Sequence, residues 1–151
     1  MLIATGGPRG GGAADQAAVR HMRAWLALVA ALAIHVADEA ATDFLGFYNP
    51  LVLAIRERVS WFPVPTFTFG PWLTGLVLAV GLLALLAPAV RRGAAGTLAA
   101  SYLFSIVMFV NGLLHLGGSL YLQRWLPGAT SAPLLLLASA LLAASTWQRR
   151  P

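Results

Sequence analysis

Long apolar stretches dominate this chain and restrict what it can fold into. The first runs from Trp25 to Ala41, and three more follow, separated by segments that carry arginine and proline. About 20 consecutive apolar residues are enough to cross the hydrocarbon core of a bilayer as a helix. Because lipid offers no hydrogen bonds to the backbone, such stretches are expected to be helical. The pattern therefore predicts an all-α protein embedded in a membrane.

The composition points to the same class of protein. Of the 151 residues, 59% are hydrophobic and 10% are charged, and the mean hydropathy is +0.77. A soluble domain has roughly 45–50% apolar and about 25% charged residues. The net charge of +5 comes from arginines scattered between the apolar stretches, with no basic block that would indicate nucleic-acid binding. The absence of cysteine excludes disulfides and thiolate metal sites.

We expect one membrane domain after a short tail. Residues 1–21 are rich in glycine and alanine and predict a flexible N-terminal tail, and residues 22–148 form the membrane domain. Its four predicted transmembrane helices form a bundle and cover approximately residues 22–43, 70–90, 94–117 and 128–148. An aromatic and proline-rich loop joins the first two, and within it residues 50–61 could form a short interfacial helix.

The arginines orient the predicted spans. With the N-terminus inside, the cytoplasmic arginines are Arg9, Arg20, Arg23, Arg91, Arg92, Arg149 and Arg150, and the outer ones are Arg56, Arg58 and Arg124. The positive-inside rule then favours an inner (cytoplasmic) membrane protein with both termini in the cytoplasm. The alternative is a secretory signal peptide cleaved after the Ala31-Leu32-Ala33 segment. The apolar character continues past that segment, which disfavours cleavage.

Polar and ionisable residues interrupt the first and third predicted spans. His35, Asp38 and Glu39 share one helix face, because positions i, i+3 and i+4 are neighbours. Asn111 and His115 are likewise four apart. Both helices run from inside to outside, and a rise of 1.5 Å per residue places all five residues ~4–12 Å to the outer side of the midplane. We therefore predict one composite site in the outer half of the membrane.

Three short motifs occur in the order found in a known family. They are His35-Val36-Ala37-Asp38-Glu39, Asn111-Gly112-Leu113-Leu114-His115 and Trp125-Leu126-Pro127-Gly128-Ala129-Thr130. They resemble the HxxEE, NxxxH and YxPG signatures of the HXXEE-motif family, which are integral membrane proteins of uncharacterised function. Asp38 stands where the family has its first glutamate, and Trp125 stands where it has tyrosine. The resemblance covers roughly residues 25–146 and implies a multi-pass membrane protein.

The residue types at the predicted site favour a metal ion. Two histidines and one or two carboxylates match the ligand preferences of zinc, iron or manganese, and a divalent cation would offset the cost of burying the carboxylates. We expect His35, Glu39 and His115 to be the metal ligands. The predicted catalytic residues are Glu39, Asp38 and Asn111, with Asp38 as a further ligand or base. A site reached through the bilayer favours a lipid or another apolar small molecule as substrate.

Three other interpretations of the same residues remain open. Glu39 beside His35 could act as a metal-free acid–base pair, with Asn111 and His115 stabilising developing charge. The cluster could instead be a proton or cation relay, or a ligand pocket, in a binding or transport module. It could also be a polar clamp that only fixes helix packing.

Three further polar residues receive less specific predictions. We interpret His21 as a solvated residue beside the membrane. Arg124 is expected to extend its side chain to the interface rather than to hold an anionic group. Asp43 could pair with Arg124 or with Arg56, and the sequence does not distinguish these partners.

Overall fold

The structure, a computed structural model, describes residues 10–149, and within that range the chain is helical with no β-strand. The helices are α1 (Gly10–Ala41), α2 (Phe44–Arg58), α3 (Phe69–Leu85), α4 (Ala87–Arg92), α5 (Thr97–Tyr121) and α6 (Ala132–Trp147). Three stretches are long and apolar enough to cross a membrane: Gly12–Ala41, Phe69–Arg92 and Thr97–Tyr121. The predicted all-α fold is confirmed, and three of the helical stretches have the length and composition of membrane spans.

The first helix is longer than the sequence predicted. Residues 10–21, assigned to the flexible tail, are helical, and residues 1–9 of that tail lie outside the described residues. Four of the six residues from position 13 to position 18 are alanine, which has the highest helix propensity of any residue. This composition explains why the helix extends back into the segment. α1 is 32 residues long, so at 1.5 Å per residue it spans ~48 Å, more than a bilayer core needs.

The segment between the first two spans is mostly helix rather than loop. α2 begins at Phe44, six residues before the predicted interfacial helix. Asp43 adopts the left-handed conformation (φ 56°), and its carboxylate accepts a hydrogen bond from the Gly46 amide at 3.2 Å. This cap satisfies one of the free amides at the start of the helix and fixes its beginning. The proline-rich stretch that follows, residues 59–68, is non-helical.

The last helix is shorter than predicted. α6 has 16 residues, and Pro133 lies in its first turn, where the missing amide proton costs nothing. Residues 122–131 form turns instead of helix, with positive φ at Gln123 and Gly128. The predicted span over residues 128–148 is therefore a helix of ~24 Å preceded by a compact turn.

α1 lies at the centre of the bundle, parallel to α5 and antiparallel to α3, α4 and α6. Contacts between polar side chains establish the directions of two helices: His21–Ser101 and His35–Asn111 for α5, and His21–Ser145 and His35–Ser131 for α6. For α3 and α4 the direction follows from the ion pair Asp15–Arg91 and from the hydrogen bond of Trp25 to the carbonyl of Leu83. The carboxyl ends of α1 and α5 thus meet the amino ends of α3 and α6 at one end of the molecule.

The core packs around the middle of α1. Trp25 is 1% exposed, its ring lies 5.1 Å from that of Phe104, and its indole N–H donates to the carbonyl of Leu83 at 2.8 Å. That carbonyl is near the end of α3, where Pro88 prevents the helix from continuing with regular hydrogen bonds. Leu135 and Leu142 of α6 are fully buried against α1.

Candidate metal centre

Three segments that are distant in sequence converge at one end of the bundle. α1 contributes His35, Asp38 and Glu39, and α5 contributes Asn111 and His115. The third segment, residues 126–131, is the turn that precedes α6. The structure therefore brings together the two polar clusters that were predicted to meet, and adds a turn that sequence reasoning did not assign to the site.

His35, Glu39 and His115 form the centre of this site. The Glu39 carboxylate lies 3.2 Å from Nε2 of His115 and 3.6 Å from Nε2 of His35. The two imidazole rings meet edge to face with their centroids 4.7 Å apart. One potential ligand atom from each residue lies within 4.8 Å of the other two. His35 and Glu39 are 1% and 5% exposed and therefore withdrawn from water, whereas the His115 side chain is 10% exposed.

Hydrogen bonds on the far side of each ring determine which nitrogen carries the proton. Nδ1 of His115 lies 2.6 Å from the carbonyl oxygen of Pro127, which can only accept, so this nitrogen donates. The Ser131 hydroxyl donates to the Asp38 carboxylate at 2.8 Å and therefore accepts from Nδ1 of His35 at 2.8 Å. Nε2 of His115 consequently directs its lone pair towards Glu39. Nε2 of His35 does the same when the terminal amide of Asn111, whose Oδ1 lies 3.1 Å away, is turned to present its NH₂ group.

Three electron-pair donors thus face one another in a buried space. An ionised Glu39 cannot donate to either Nε2, and rings protonated at Nδ1 cannot donate to it from Nε2. Such an arrangement is satisfied by a cation placed among the three atoms, either a proton or a metal ion. Metal-bound histidines characteristically donate their other ring N–H to a carbonyl or carboxylate, which is the pattern seen at Pro127 and, through Ser131, at Asp38.

The spacing of the three atoms suits a small divalent ion. Bonds of about 2.0–2.2 Å in a tetrahedral arrangement separate neighbouring ligand atoms by roughly 3.3–3.6 Å. The two separations from Glu39, 3.2 and 3.6 Å, span that range. The third separation, between the two imidazole nitrogens, is at most 4.8 Å, so His35, Glu39 and His115 fit as metal ligands once the two rings move closer together.

Gly128 leaves room for these groups. Its φ is +80°, a conformation that side chains other than glycine rarely adopt. A Cβ built on it would lie 2.8 Å from Cε1 of His115 and 3.0 Å from Cγ of Glu39. The turn before α6 can approach the site this closely only because position 128 has no side chain.

Asp38 and Asn111 lie beside this centre in different ways. Asp38 is directed away from the three ligand atoms, and its carboxylate accepts from the Ser131 amide at 2.9 Å as well as from the hydroxyl. It holds the start of α6 and, through Ser131, the ring of His35. Asn111 is closer to the centre, with Oδ1 3.1 Å from Nε2 of His35. Rotation of its terminal amide would present a donor to the same nitrogen.

A cavity of about 250 Å³ reaches the site from the side of α2. Its walls include Phe44, Tyr48, Asn111 and His115. The Tyr48 hydroxyl donates to the carbonyl of Pro65 at 2.9 Å, and burial raises the pKa of this phenol. Because His115 lines this cavity, a small molecule could approach it without displacing a helix.

Two of the remaining predictions concern residues elsewhere in the molecule. His21, predicted to be solvated, is fully buried near the opposite end of the bundle, between Ser145 and Ser101 at 3.1 Å each. No feature of the local sequence indicated this, because its partners lie on α5 and α6. Asp43 caps α2, and among the described residues it forms no ion pair with Arg124 or Arg56.

One serine of the site, Ser131, was also missed. Ser131 links Asp38 to His35, and Ser119 accepts from the Leu126 amide at 3.0 Å, which ties the turn to α5. Serine is common in apolar helices and turns, so only the resemblance of residues 125–130 to a family motif indicated that this turn matters. Comparison with protein-family models, curated proteins and solved structures found no match to this chain. Membership of the HXXEE-motif family therefore stays a prediction.

Proposed function

We propose that this chain is a metal-dependent membrane enzyme that acts on a lipid or another apolar small molecule. The observation that carries the proposal is the convergence of Nε2 of His35, Nε2 of His115 and the Glu39 carboxylate in a buried space. Buried charges are stable when they are paired or bind a metal. An enzyme also needs access for substrate, and the cavity beside His115 supplies it.

The ligand set is two histidines and one carboxylate. The same set is found in catalytic zinc sites and, as a facial triad, in non-haem iron enzymes, so zinc, iron and manganese all remain candidates. A divalent ion at this position would supply Lewis-acid chemistry, which is the basis of metal-assisted hydrolysis and of many oxidations. A purely structural metal is less consistent with the site, because three protein ligands leave a coordination position open.

The surrounding residues have distinct roles in this proposal. The Pro127 carbonyl and the Ser131–Asp38 pair hold the two imidazoles in the tautomer that directs Nε2 inwards. Asp38 is thus a positioning residue, not a ligand or base. Asn111 lines the cavity next to His115 and could bind a polar group of the substrate through its amide. The apolar walls exclude water from the reacting groups.

We further propose four membrane spans with both termini in the cytoplasm. α6 is apolar and antiparallel to α1, and it lies alongside α1 from the level of His35 to that of His21. In this arrangement Arg20, Arg23, Arg91 and Arg149 lie towards one end of the bundle, and the candidate site lies towards the other. The excess of arginine at the first end favours that end as the cytoplasmic one.

A metal-free acid–base enzyme is the second candidate, and one observation favours it. Nε2 of His115 lies 3.2 Å from the Glu39 carboxylate, which is within reach of a shared proton. A proton held there would also satisfy the facing lone pairs. In that case Glu39 and His115 would transfer protons to and from a bound substrate.

Metal content measured by inductively coupled plasma mass spectrometry distinguishes these candidates. The protein is purified in detergent without chelators, as wild type and as the variants His35→Ala and His21→Ala. Both substitutions remove a fully buried imidazole of α1, but only His35 belongs to the site. We expect close to one zinc, iron or manganese ion per chain in the wild type and in His21→Ala, and almost none in His35→Ala. No metal in the wild type would overturn the metal-dependent proposal and favour the acid–base pair.

A further inference from the structure

An apolar groove runs along α5 on the side that faces α2. We call it the α2–α5 groove and define it by Phe47, Leu51, Leu114, Gly118 and Leu126. Its volume is about 720 Å³, within the range of roughly 300–1,000 Å³ that is typical of small-molecule pockets. Along α5 it extends from the level of Leu114 to that of Tyr121, which corresponds to ~10 Å at 1.5 Å per residue.

The inner end of the groove leads to the candidate metal centre. Phe47, Leu51, Leu114 and Leu126 also line the smaller cavity of about 250 Å³ that contains Asn111 and His115. The two cavities are therefore adjacent along shared walls. A chain-like molecule lying in the groove would place one of its carbons next to His115.

The outer end of the groove carries a positive charge. Arg124 is exposed, and its guanidinium lies over the ring of Phe47 at 5.3 Å from the centroid. Among residues 10–149 it forms no ion pair. The arginine is thus held against a wall of the groove by the ring, while its hydrogen-bond donors are available to a ligand.

The charge next to Arg124 favours a ligand with a single negative charge over one with two. Asp43 shares a third cavity, of about 300 Å³, with Arg124, although its carboxylate is engaged in capping α2. A guanidinium binds a carboxylate in a planar, bidentate manner. A dianionic phosphate would face repulsion from Asp43, whereas a monoanion is balanced by the one arginine.

We propose that the α2–α5 groove binds a fatty acid, with its carboxylate on Arg124 and its hydrocarbon chain along the groove towards His115. The inference rests on the proposed function in that it identifies the substrate class of the same site. It assigns Arg124 the alternative role, that of holding an anionic group. Substrate would enter from the bilayer, because the exposed face of the groove is apolar and lies beside α5, a candidate membrane-spanning helix.

Direct binding of tritiated oleate to the full chain in nanodiscs tests the proposal. Arg124→Gln is compared with Arg58→Gln, which removes another exposed arginine that does not line the groove. We expect Arg124→Gln to weaken oleate binding at least tenfold and Arg58→Gln to leave it unchanged. Oleyl alcohol lacks the charge, so it should bind weakly to wild type. It should bind Arg124→Gln with the same weak affinity.

A second variant tests the path of the chain. Leu114→Trp adds bulk where the groove joins the inner cavity, and it should weaken oleate and oleyl alcohol alike. The inference is overturned if wild type does not bind oleate, if Arg124→Gln binds it as tightly as Arg58→Gln, or if Leu114→Trp binds it as tightly as wild type.

Metal content, measured on the same preparations, separates this inference from the proposed function. Oleate binding that survives in a metal-free Glu39→Gln variant would support the groove independently of the metal. A metal-loaded wild type that does not bind oleate would overturn the groove and leave the metal centre intact. Oleate binding by a wild type that holds no metal would support the groove and overturn the metal-dependent function.

Discussion

Gly128→Ala provides a sharp test of the candidate metal centre, because two separable costs can be derived from the structure. The first is backbone strain: alanine at φ +80° costs about 1–2 kcal/mol relative to glycine. The second is steric. The new Cβ would lie 2.8 Å from Cε1 of His115, whereas ordinary contacts begin at 3.4 Å. The ring or the turn must therefore move by about 0.6 Å, and overpacking of this kind costs about 1–3 kcal/mol.

A shift of this size matters more for metal binding than for stability. Ligand distances in metal sites are defined to within about 0.2 Å. Moving His115 by about 0.6 Å also weakens its hydrogen bond to Pro127, which holds the ring in place. We expect the affinity for zinc or iron to fall about 10–100-fold, the range typical of changes to groups that support a ligand.

Gly96→Ala is the matched control for this experiment. Gly96 has almost the same φ, +79°, but no atom lies within 4 Å of a Cβ built on it. Both variants carry the backbone strain, and only Gly128→Ala displaces the ligands. Thermal unfolding in detergent should show a lower Tm for both, and metal titration should show weaker binding for Gly128→Ala alone. Metal binding by Gly128→Ala as tight as that of Gly96→Ala would refute the placement of this turn against the site.

Three further substitutions test other parts of the structure. Asp38→Asn removes the charge that accepts from the amide and hydroxyl of Ser131, so we expect the free energy of unfolding in denaturant to fall by about 2–3 kcal/mol. Metal binding should be weakened less than by Glu39→Gln, and equal losses of metal binding would instead make Asp38 a ligand. Gly112→Ala should lower the Tm, because its Cβ would lie 2.9 Å from a side chain of α6. Gly117→Ala is the matched control: its Cβ has free space, so the better helix propensity of alanine should raise the Tm. Trp25→Phe deletes the hydrogen bond to the carbonyl of α3 and should cost about 1 kcal/mol of unfolding free energy, and an unchanged stability would argue against that contact.

The meeting of the two polar clusters could be predicted from spacing alone. His35 and Glu39 are four apart, as are Asn111 and His115, and both pairs lie at similar depth in helices that run in the same direction. Polar side chains avoid lipid, so two such faces at the same depth are expected to turn towards each other. The structure has this arrangement, with His115 and Glu39 3.2 Å apart.

The role of Asp38 could not be predicted in the same way. It shares a helix face with His35 and Glu39, and periodicity treats the three as equivalent. Its partner is Ser131, which lies 93 residues further along the chain in a turn without periodic pattern. The burial of His21 was missed for a related reason, since a residue flanked by arginines looks solvated until α5 and α6 pack against it. Contacts that depend on irregular segments leave no periodic signal in the sequence.

The order in which the parts of the site are synthesised has a consequence for assembly in the cell. Asp38 precedes its partner Ser131 by 93 residues, which corresponds to roughly 5–20 s of translation. During that time α1 carries the Asp38 carboxylate, whose hydrogen-bond donors on Ser131 do not yet exist, and an acidic residue opposes insertion by as much as about 2.5–3.5 kcal/mol if it lies at the centre of the bilayer. The nascent first helix is therefore a candidate for retention beside the insertion machinery until the last helix emerges. Premature termination before the final turn would leave a chain that membrane quality control can recognise by its unpaired acids.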